Sequence, residues 1–409
     1  MKILMITSYV TIEGKKEFEK NRTGFGYMVM DIARAVGCLE KVSVFASDSC
    51  GKSFEQGGIV FLKRSLWTYI FNIWHVLSPK IVLKLWRQYR MKPATLLRLC
   101  YYWLCTGYLC QLLKKEDYDL VHIHGCSFGT EVWMQVCRKC GKRFLVTLHG
   151  LNSFSDTVRL EPAGKKYERD FLQRVIRGEI PITVISSGMK RIIEQTYGIE
   201  NCNNIFVVCN SFSFNSINQG GVNIREKWGI PAYAKILLCV GNIGRRKNQG
   251  QLVMGFNLVP ENVGKKWWVL FLGANQDIAY NLNEFSSQIT LRQHIVTCGC
   301  VDKALMPHYY SQADAVALMS LSEGFGLSLI EGMHFGKPSM SFTDIDAFDD
   351  IFNADAMVGV EGHTDEDVAK GLVKLFTTYW DKSKIIEYSA KFNSQTMAKH
   401  YLDVYQRTI

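Results

Sequence analysis

The chain has 409 residues, 47% of them hydrophobic and only 8 of them proline, with a formal charge of +10. That length divides into two domains, each able to bury a full core, and the composition excludes disordered and fibrous classes. Thirteen cysteines without a secretory leader point to free thiols in a reducing, cytoplasmic compartment.

The opening run Met1-Lys2-Ile3-Leu4-Met5-Ile6 reads as a first strand rather than a leader. Short apolar runs then recur at Lys2–Ser8, Lys41–Ala46, Leu120–Gly125, Arg143–Gly150, Pro181–Ser186 and Ile205–Asn210. A second series follows at Lys235–Gly241, Trp267–Gly273, Ile295–Gly299, Ala315–Ser320, Ser339–Thr343 and Ala356–Val360. Most are continuous rather than alternating, as strands buried on both faces of a parallel sheet read. Helical periodicity fills the gaps, for example at Met28–Val36, Met189–Tyr197, Asn248–Phe256 and Leu327–Phe335. The rhythm predicts two doubly wound, Rossmann-like α/β units in tandem. The polar, glycine-ended Ser211–Gly221 marks the break, and Ile385–Arg407 reads as one or two helices with no strand after them. The expected domains are therefore 1–211, 212–385 and a terminal helical segment 386–409.

The positive charge is local. Between Glu55 and Glu116 there is no acidic residue, whereas Lys63, Arg64, Lys80, Lys84, Arg87, Arg90, Lys92, Arg98, Lys114 and Lys115 lie in that stretch. Trp67, Trp74, Trp86 and Trp103 are interleaved with them. The charge-free spans Ser65–Pro79 and Leu99–Leu113 are too short for membrane spans. Residues 62–115 suit either a helix lying on an anionic bilayer or a helical subdomain packed on the first sheet. No nucleic-acid-binding module accompanies the patch, so nucleic acid is not an expected partner.

Four places can carry chemistry. Gly324-Phe325-Gly326, followed by Leu327, succeeds an apolar run and opens a helical segment, where backbone N–H groups and a helix dipole hold phosphates or hydroxyls. Glu323 stands just before that helix and Glu331 about two turns inside it; a capping glutamate at a helix start fits the spacing equally well. Gly241-Asn242-Ile243-Gly244-Arg245-Arg246-Lys247 ends a strand in three cations suited to a diphosphate, or forms a solvated basic turn. Near the N-terminus, Gly24-Phe25-Gly26 resembles a dinucleotide fingerprint with Val29 where the third glycine belongs.

His122 and His124 share one side of a strand, which raises a metal, but no third ligand is placed and none is expected. His149 ends the next strand, a natural catalytic position. Cys137-Arg138-Lys139-Cys140 is a lone C-x-x-C on a helical face, without a second pair.

Together these segments resemble the family 4 glycosyltransferases, a retaining family of the GT-B fold. The resemblance runs from Met1-Lys2-Ile3-Leu4 to the last helix and is densest from Ala313 to Pro338, where Glu323 and Glu331 fall on the family's E-x7-E motif. Val121-His122-Ile123-His124-Gly125, Val146-Thr147-Leu148-His149-Gly150, Val184-Ile185-Ser186-Ser187, Asn210 and Val240-Gly241 through Lys247 match in order.

The resemblance implies two Rossmann-like domains facing a cleft, acceptor binding in the first and a UDP- or GDP-sugar in the second. Glu331 would hold the ribose hydroxyls, Gly324–Leu327 and Glu323 the donor sugar, and Lys247 with Arg245 or Arg246 the leaving diphosphate in place of a metal. His149 would lie near the reacting centre and Gly24–Gly26 near the donor phosphates. The final helix, Asn393–Gln406, would cross back to the first domain. The acceptor would be a glycan or lipid-linked glycan of surface polysaccharide assembly. A GT-B phosphorylase or epimerase, and a non-catalytic membrane-associated partner of such an assembly, are the alternatives. This chain departs from the family at Asn242, where arginine is usual, and at Ile345-Asp346-Ala347-Phe348-Asp349-Asp350, where a glycine-rich turn and a glutamate are usual.

Overall fold

The computed structural model describes residues 1–12, 14–15, 18, 23–48, 52–62, 65–157, 160–212, 214, 221–275, 277 and 279–409. Of the basic stretch, Lys63 and Arg64 lie outside these residues, as do 213 and 215–220 of the expected break. Contacts group the chain into Met1–Asn210 with Ser394–Ile409, and Ser211–Asn393.

Among the described residues, the first unit holds an eight-stranded sheet. In chain order its strands are β1 (Lys2–Thr7), β2 (Lys41–Ala46), β3 (Phe54–Gln56), β4 (Ile59–Phe61), β5 (Leu120–His124), β6 (Phe144–Leu148), β7 (Ile182–Val184) and β8 (Ile205–Val207). They lie in the order β3-β4-β2-β1-β5-β6-β7-β8, parallel except for β3 against β4. The direction of winding reverses beside β1, the switch point at which α/β folds place ligands. The helices are α1 (Gly24–Gly37), α2 (Leu66–Ile70), α3 (Lys80–Tyr89), α4 (Pro93–Lys115), α5 (Phe128–Lys139), α6 (Pro162–Ile176) and α7 (Ser187–Tyr197), joined by the C-terminal helix Ser394–Thr408.

The β3–β4 hairpin has no counterpart in the expected series. Its three-residue strands are too short to show periodicity, and Gly57 and Gly58, with φ of 60° and 76°, supply the two-residue turn.

The basic stretch divides. α4 packs against α5 and buries Leu99, Tyr102, Cys105, Leu109, Cys110 and Leu113. Gly107 admits the Asn72 carbonyl, which a Cβ would meet at 2.2 Å. The span Leu99–Leu113 is thus a core helix of the first unit. In the span Ser65–Pro79, by contrast, Trp67, Phe71 and Trp74 stand exposed. Among the described residues no helix is long and apolar enough to cross a membrane.

The second unit holds, among its described residues, a six-stranded parallel sheet ordered β11-β10-β9-β12-β13-β14. These strands are β9 (Lys235–Val240), β10 (Trp267–Leu272), β11 (Ile295–Gly299), β12 (Ala315–Leu318), β13 (Ser339–Phe342) and β14 (Met357–Val360). Leu237, Val269, Phe271, Leu252, Phe256 and Leu372 fill one core cluster. Winding reverses between β9 and β12. The expected boundary at 385/386 falls inside the helix Lys382–Ser389, which packs on the helix Leu327–His334, so residues 386–393 stay with this unit.

Candidate functional site

In the second unit the chemistry collects after β9 and β12, at the carboxyl edge of the switch point. β9 runs out at Gly241, whose φ of 147° excludes a side chain, and the Lys247 stem lies across it, its Cε 3.0 Å from where a Cβ would be. The loop is braced by Gln249, which accepts from the Gly244 N–H at 3.2 Å and donates to the Gly241 and Asn242 carbonyls. Lys247 Nζ reaches Glu323 Oε2 at 2.5 Å. Arg246 donates to the Ser322 carbonyl at 3.1 Å and stands 3.5 Å from the same carboxylate. Arg245 turns instead to Asp277, at 3.8 Å, and is exposed. Of the two arginines, Arg246 is the one brought to Glu323.

Burial would raise the Glu323 carboxyl, but Lys247 and Arg246 and the Gly326 N–H outweigh it and hold it below the usual range. Glu323 is therefore a carboxylate inside a cationic loop. Gly326, at φ 83°, caps the helix Leu327–His334, and buried Phe325 anchors the turn against Phe392. Gly324 completes the turn after Glu323. Glu331 lies one turn inside that helix rather than two, because the helix starts only at Leu327. It accepts from the buried Tyr310 hydroxyl at 2.6 Å.

In the first unit, Thr23 caps α1 by accepting from the Gly26 N–H at 3.4 Å. Gly26 is required by packing, since a Cβ would sit 2.3 Å from Thr11 Oγ1, whereas Gly24 faces open space. Phe25, between them, meets the His149 ring edge-on at 4.9 Å. His149 Nε2 lies 3.2 Å from His124 Nδ1. His122 bonds the Tyr405 hydroxyl of the C-terminal helix at 2.8 Å and Thr147 Oγ1 at 2.6 Å. Burial holds His122 down to about 3 and His149 to about 4, and His124 well below its ordinary value, so all three are neutral imidazoles. Among the described residues, no group of three or more His, Cys, Asp or Glu is placed to hold a metal ion. Cys137 is buried on α5, where it behaves as a core residue.

Two family descriptions match: "Glycosyltransferase Family 4" over residues 28–213 and "Glycosyl transferases group 1" over residues 222–392. The chain belongs to the family 4, group 1 glycosyltransferases. It is 26% identical over 127 residues to an uncharacterized glycosyltransferase of Methanocaldococcus jannaschii, a match covering 31% of this chain and 32% of that relative. The match thus spans about a third of that curated relative's length. A Rickettsia africae glycosyltransferase is similar in structure, with a TM-score of 0.69 at 16% identity, covering 100% of this chain and 98% of that one. Anabaena HepE, solved with UDP and glucose, has the same TM-score at 14% identity, with 100% of both chains covered. The fold of this glycosyltransferase is GT-B.

Three residues of this candidate site are not marked by the sequence. Tyr310 and Gln249 look like ordinary helix residues, and only the fold brings them to Glu331 and to the Gly241 loop. Asp346 was visible as a departure from the family turn, without a role. Its N–H donates to the Glu323 carbonyl at 3.1 Å, and burial plus the charges of Glu323 and Asp344 push its carboxyl up to about 6. Because its folded-state value exceeds the unfolded one, the folded state holds an extra proton between pH 4 and 6 and loses that advantage as pH rises. We therefore expect Asp346→Asn to stabilise the second unit at pH 7.5, by on the order of 1–3 kcal/mol, and to have little effect at pH 4. Denaturant midpoints at the two pH values check it; an equal shift at both would refute the charge explanation.

Proposed function

We propose that this glycosyltransferase moves a sugar from a UDP- or GDP-linked donor to a glycan or lipid-linked acceptor with retention of anomeric configuration and without a metal ion. The observation that supports this most is the Lys247–Glu323 pair, with Arg246 beside it, at the carboxyl edge of the β9/β12 switch point. A diphosphate leaving group develops charge as its bond to the anomeric carbon breaks. Preorganised cations at that position stabilise it directly. A front-face route fits such a site: the leaving phosphate oxygen takes the proton of the acceptor hydroxyl as that hydroxyl oxygen bonds to carbon on the same face.

In this reading Glu331, oriented by Tyr310, accepts from the ribose hydroxyls. Glu323 and the backbone of Gly324–Leu327 hold the donor sugar. His149, a neutral imidazole, serves the reacting sugar as a polar partner, and Gly24, which faces open space, leaves the start of α1 open to the donor phosphates, with Gly26 set against Thr11 beside it. Anabaena HepE, solved with UDP and glucose, supports the class of donor. Residues 62–115 support work at the inner face of an anionic membrane, in surface polysaccharide assembly, since their exposed aromatics and cations suit such a surface.

The test is to offer UDP-, GDP- and ADP-sugars and follow hydrolysis and transfer by NMR in excess chelator. Retained product configuration with chelator-insensitive turnover is expected; inversion, or dependence on a divalent ion, would overturn the mechanism. Within it, Arg246→Ala should cost about 10–100-fold in kcat/KM, the worth of a charged hydrogen bond, and Arg245→Ala less than about threefold. The reverse ranking would reassign the phosphate contact.

A further inference from the structure

Away from the switch points, the first unit carries a cavity of about 830 Å3 bounded by α3, α5 and α6. Its depth is apolar, formed by the buried Leu77, Leu85, Tyr89 and Tyr167. The two carboxylates in its wall are already engaged: Glu131 with Arg174 at 2.6 Å, and Asp170 with the Tyr89 hydroxyl at 2.9 Å. Lys80, Lys84, Arg138 and Lys139 remain exposed around it. Lys80, Lys84 and Gln88 form one i, i+4, i+8 stripe of α3 turned to the cavity, while Leu83 and Trp86 stand exposed on another. An apolar pocket under a cationic rim matches an anionic amphiphile, with phosphate at the rim.

What lies beside the mouth says where such a molecule comes from. Leu77 and Ser78 line the cavity and follow the turn Ile73–His75 after Val76. Trp67, Phe71 and Trp74, just upstream, are 66%, 75% and 91% exposed, with Trp67 and Phe71 one helical turn apart. Large aromatics in water among cations, in a stretch free of acidic residues, have the composition of a membrane-interface surface.

We infer that this cavity takes an anionic membrane lipid, its headgroup phosphate on the cationic rim of Lys80, Lys84, Arg138 and Lys139, while Trp67, Phe71 and Trp74 enter the interface. The inference rests on the membrane reading of residues 62–115, and it adds a discrete headgroup site to a diffuse attraction.

The test floats the full chain with vesicles of phosphatidylcholine alone, or with added phosphatidylglycerol. We compare K84E/R138E in the cavity rim, K114E/K115E as an equal charge change on α4, and F71S/W74S. The chain should float only with phosphatidylglycerol, at least tenfold less as K84E/R138E or F71S/W74S, and within about twofold of normal as K114E/K115E. Donor hydrolysis in solution should stay within twofold in all three, showing that they fold. Equal loss in the two charge variants would mean general electrostatics and would overturn the headgroup site while leaving the membrane reading standing. Saturable binding of soluble sn-glycerol 1-phosphate without flotation would overturn the lipid source. If the chain floats with neither vesicle, both the site and the membrane reading fail, and donor hydrolysis still judges the transferase reading alone.

Discussion

Lys247→Ala lowers transfer about a thousandfold, and Glu323→Gln about a hundredfold, on whichever donor the chain uses. The first figure is the usual cost of removing a preorganised group from a developing charge. Both side chains are largely buried, so Glu323→Gln strands Lys247 at a cost of about 3–5 kcal/mol in stability, whereas Lys247→Ala leaves Glu323 with Arg246 at 3.5 Å and costs less. The two losses separate in Lys247→Met/Glu323→Gln. That double variant removes both charges at similar volume and recovers the stability of the second unit, because no buried ion is left alone. Turnover does not recover if, as proposed, Lys247 is the cation of the leaving diphosphate. Single-turnover rates and denaturant midpoints on the four proteins check this. If activity returned with stability, the pair would be a structural ion pair and the donor site would have to be sought elsewhere.

The first unit should be acid-labile in a way the second is not. His122 and His149 are held down to about 3 and about 4, and His124 well below its ordinary value. A depressed folded-state value means that the neutral ring stabilises the fold fully above about pH 6.5, the unfolded value. Below it the unfolded chain takes up protons that the folded one refuses, and stability falls until pH reaches the folded values. With all three rings refusing, the slope approaches about 4 kcal/mol per pH unit near pH 5. Hydrogen exchange of β5 and β6 against β9 and β12 at pH 7, 6 and 5 reads it. His124→Leu removes one of the three protons and should reduce the slope by about a third. Parallel losses in the two sheets would refute the assignment.

Much of this was legible in the sequence. Buried parallel strands announce themselves as continuous apolar runs, and β2 has the bounds read from its run. That Glu323 and Lys247 belong to the ends of neighbouring strands could be read from the glycines beside them, and the structure brings the two side chains together. That Arg246 rather than Arg245 turns to Glu323 was not legible. It depends on the phase of the turn Gly244–Lys247, which hydrogen bonds to Gln249 and Leu321 set and composition does not. The divided fate of residues 62–115 was hidden for a similar reason. Tryptophan and leucine have the same character in a core as at a surface, and only the fold shows that α4 packs on α5 while Trp67, Phe71 and Trp74 stay exposed.

The bond between His122 and Tyr405 spans 283 residues of chain. Tyr401 and Tyr405 are fully buried in the unit whose sheet is otherwise complete by Val207. During synthesis, then, the first unit emerges with an open seam. The second, from Ser211 to Asn393, can close before it. At ribosomal speeds the seam waits roughly 10–40 s for its last helix. For that interval His122 lacks its Tyr405 partner.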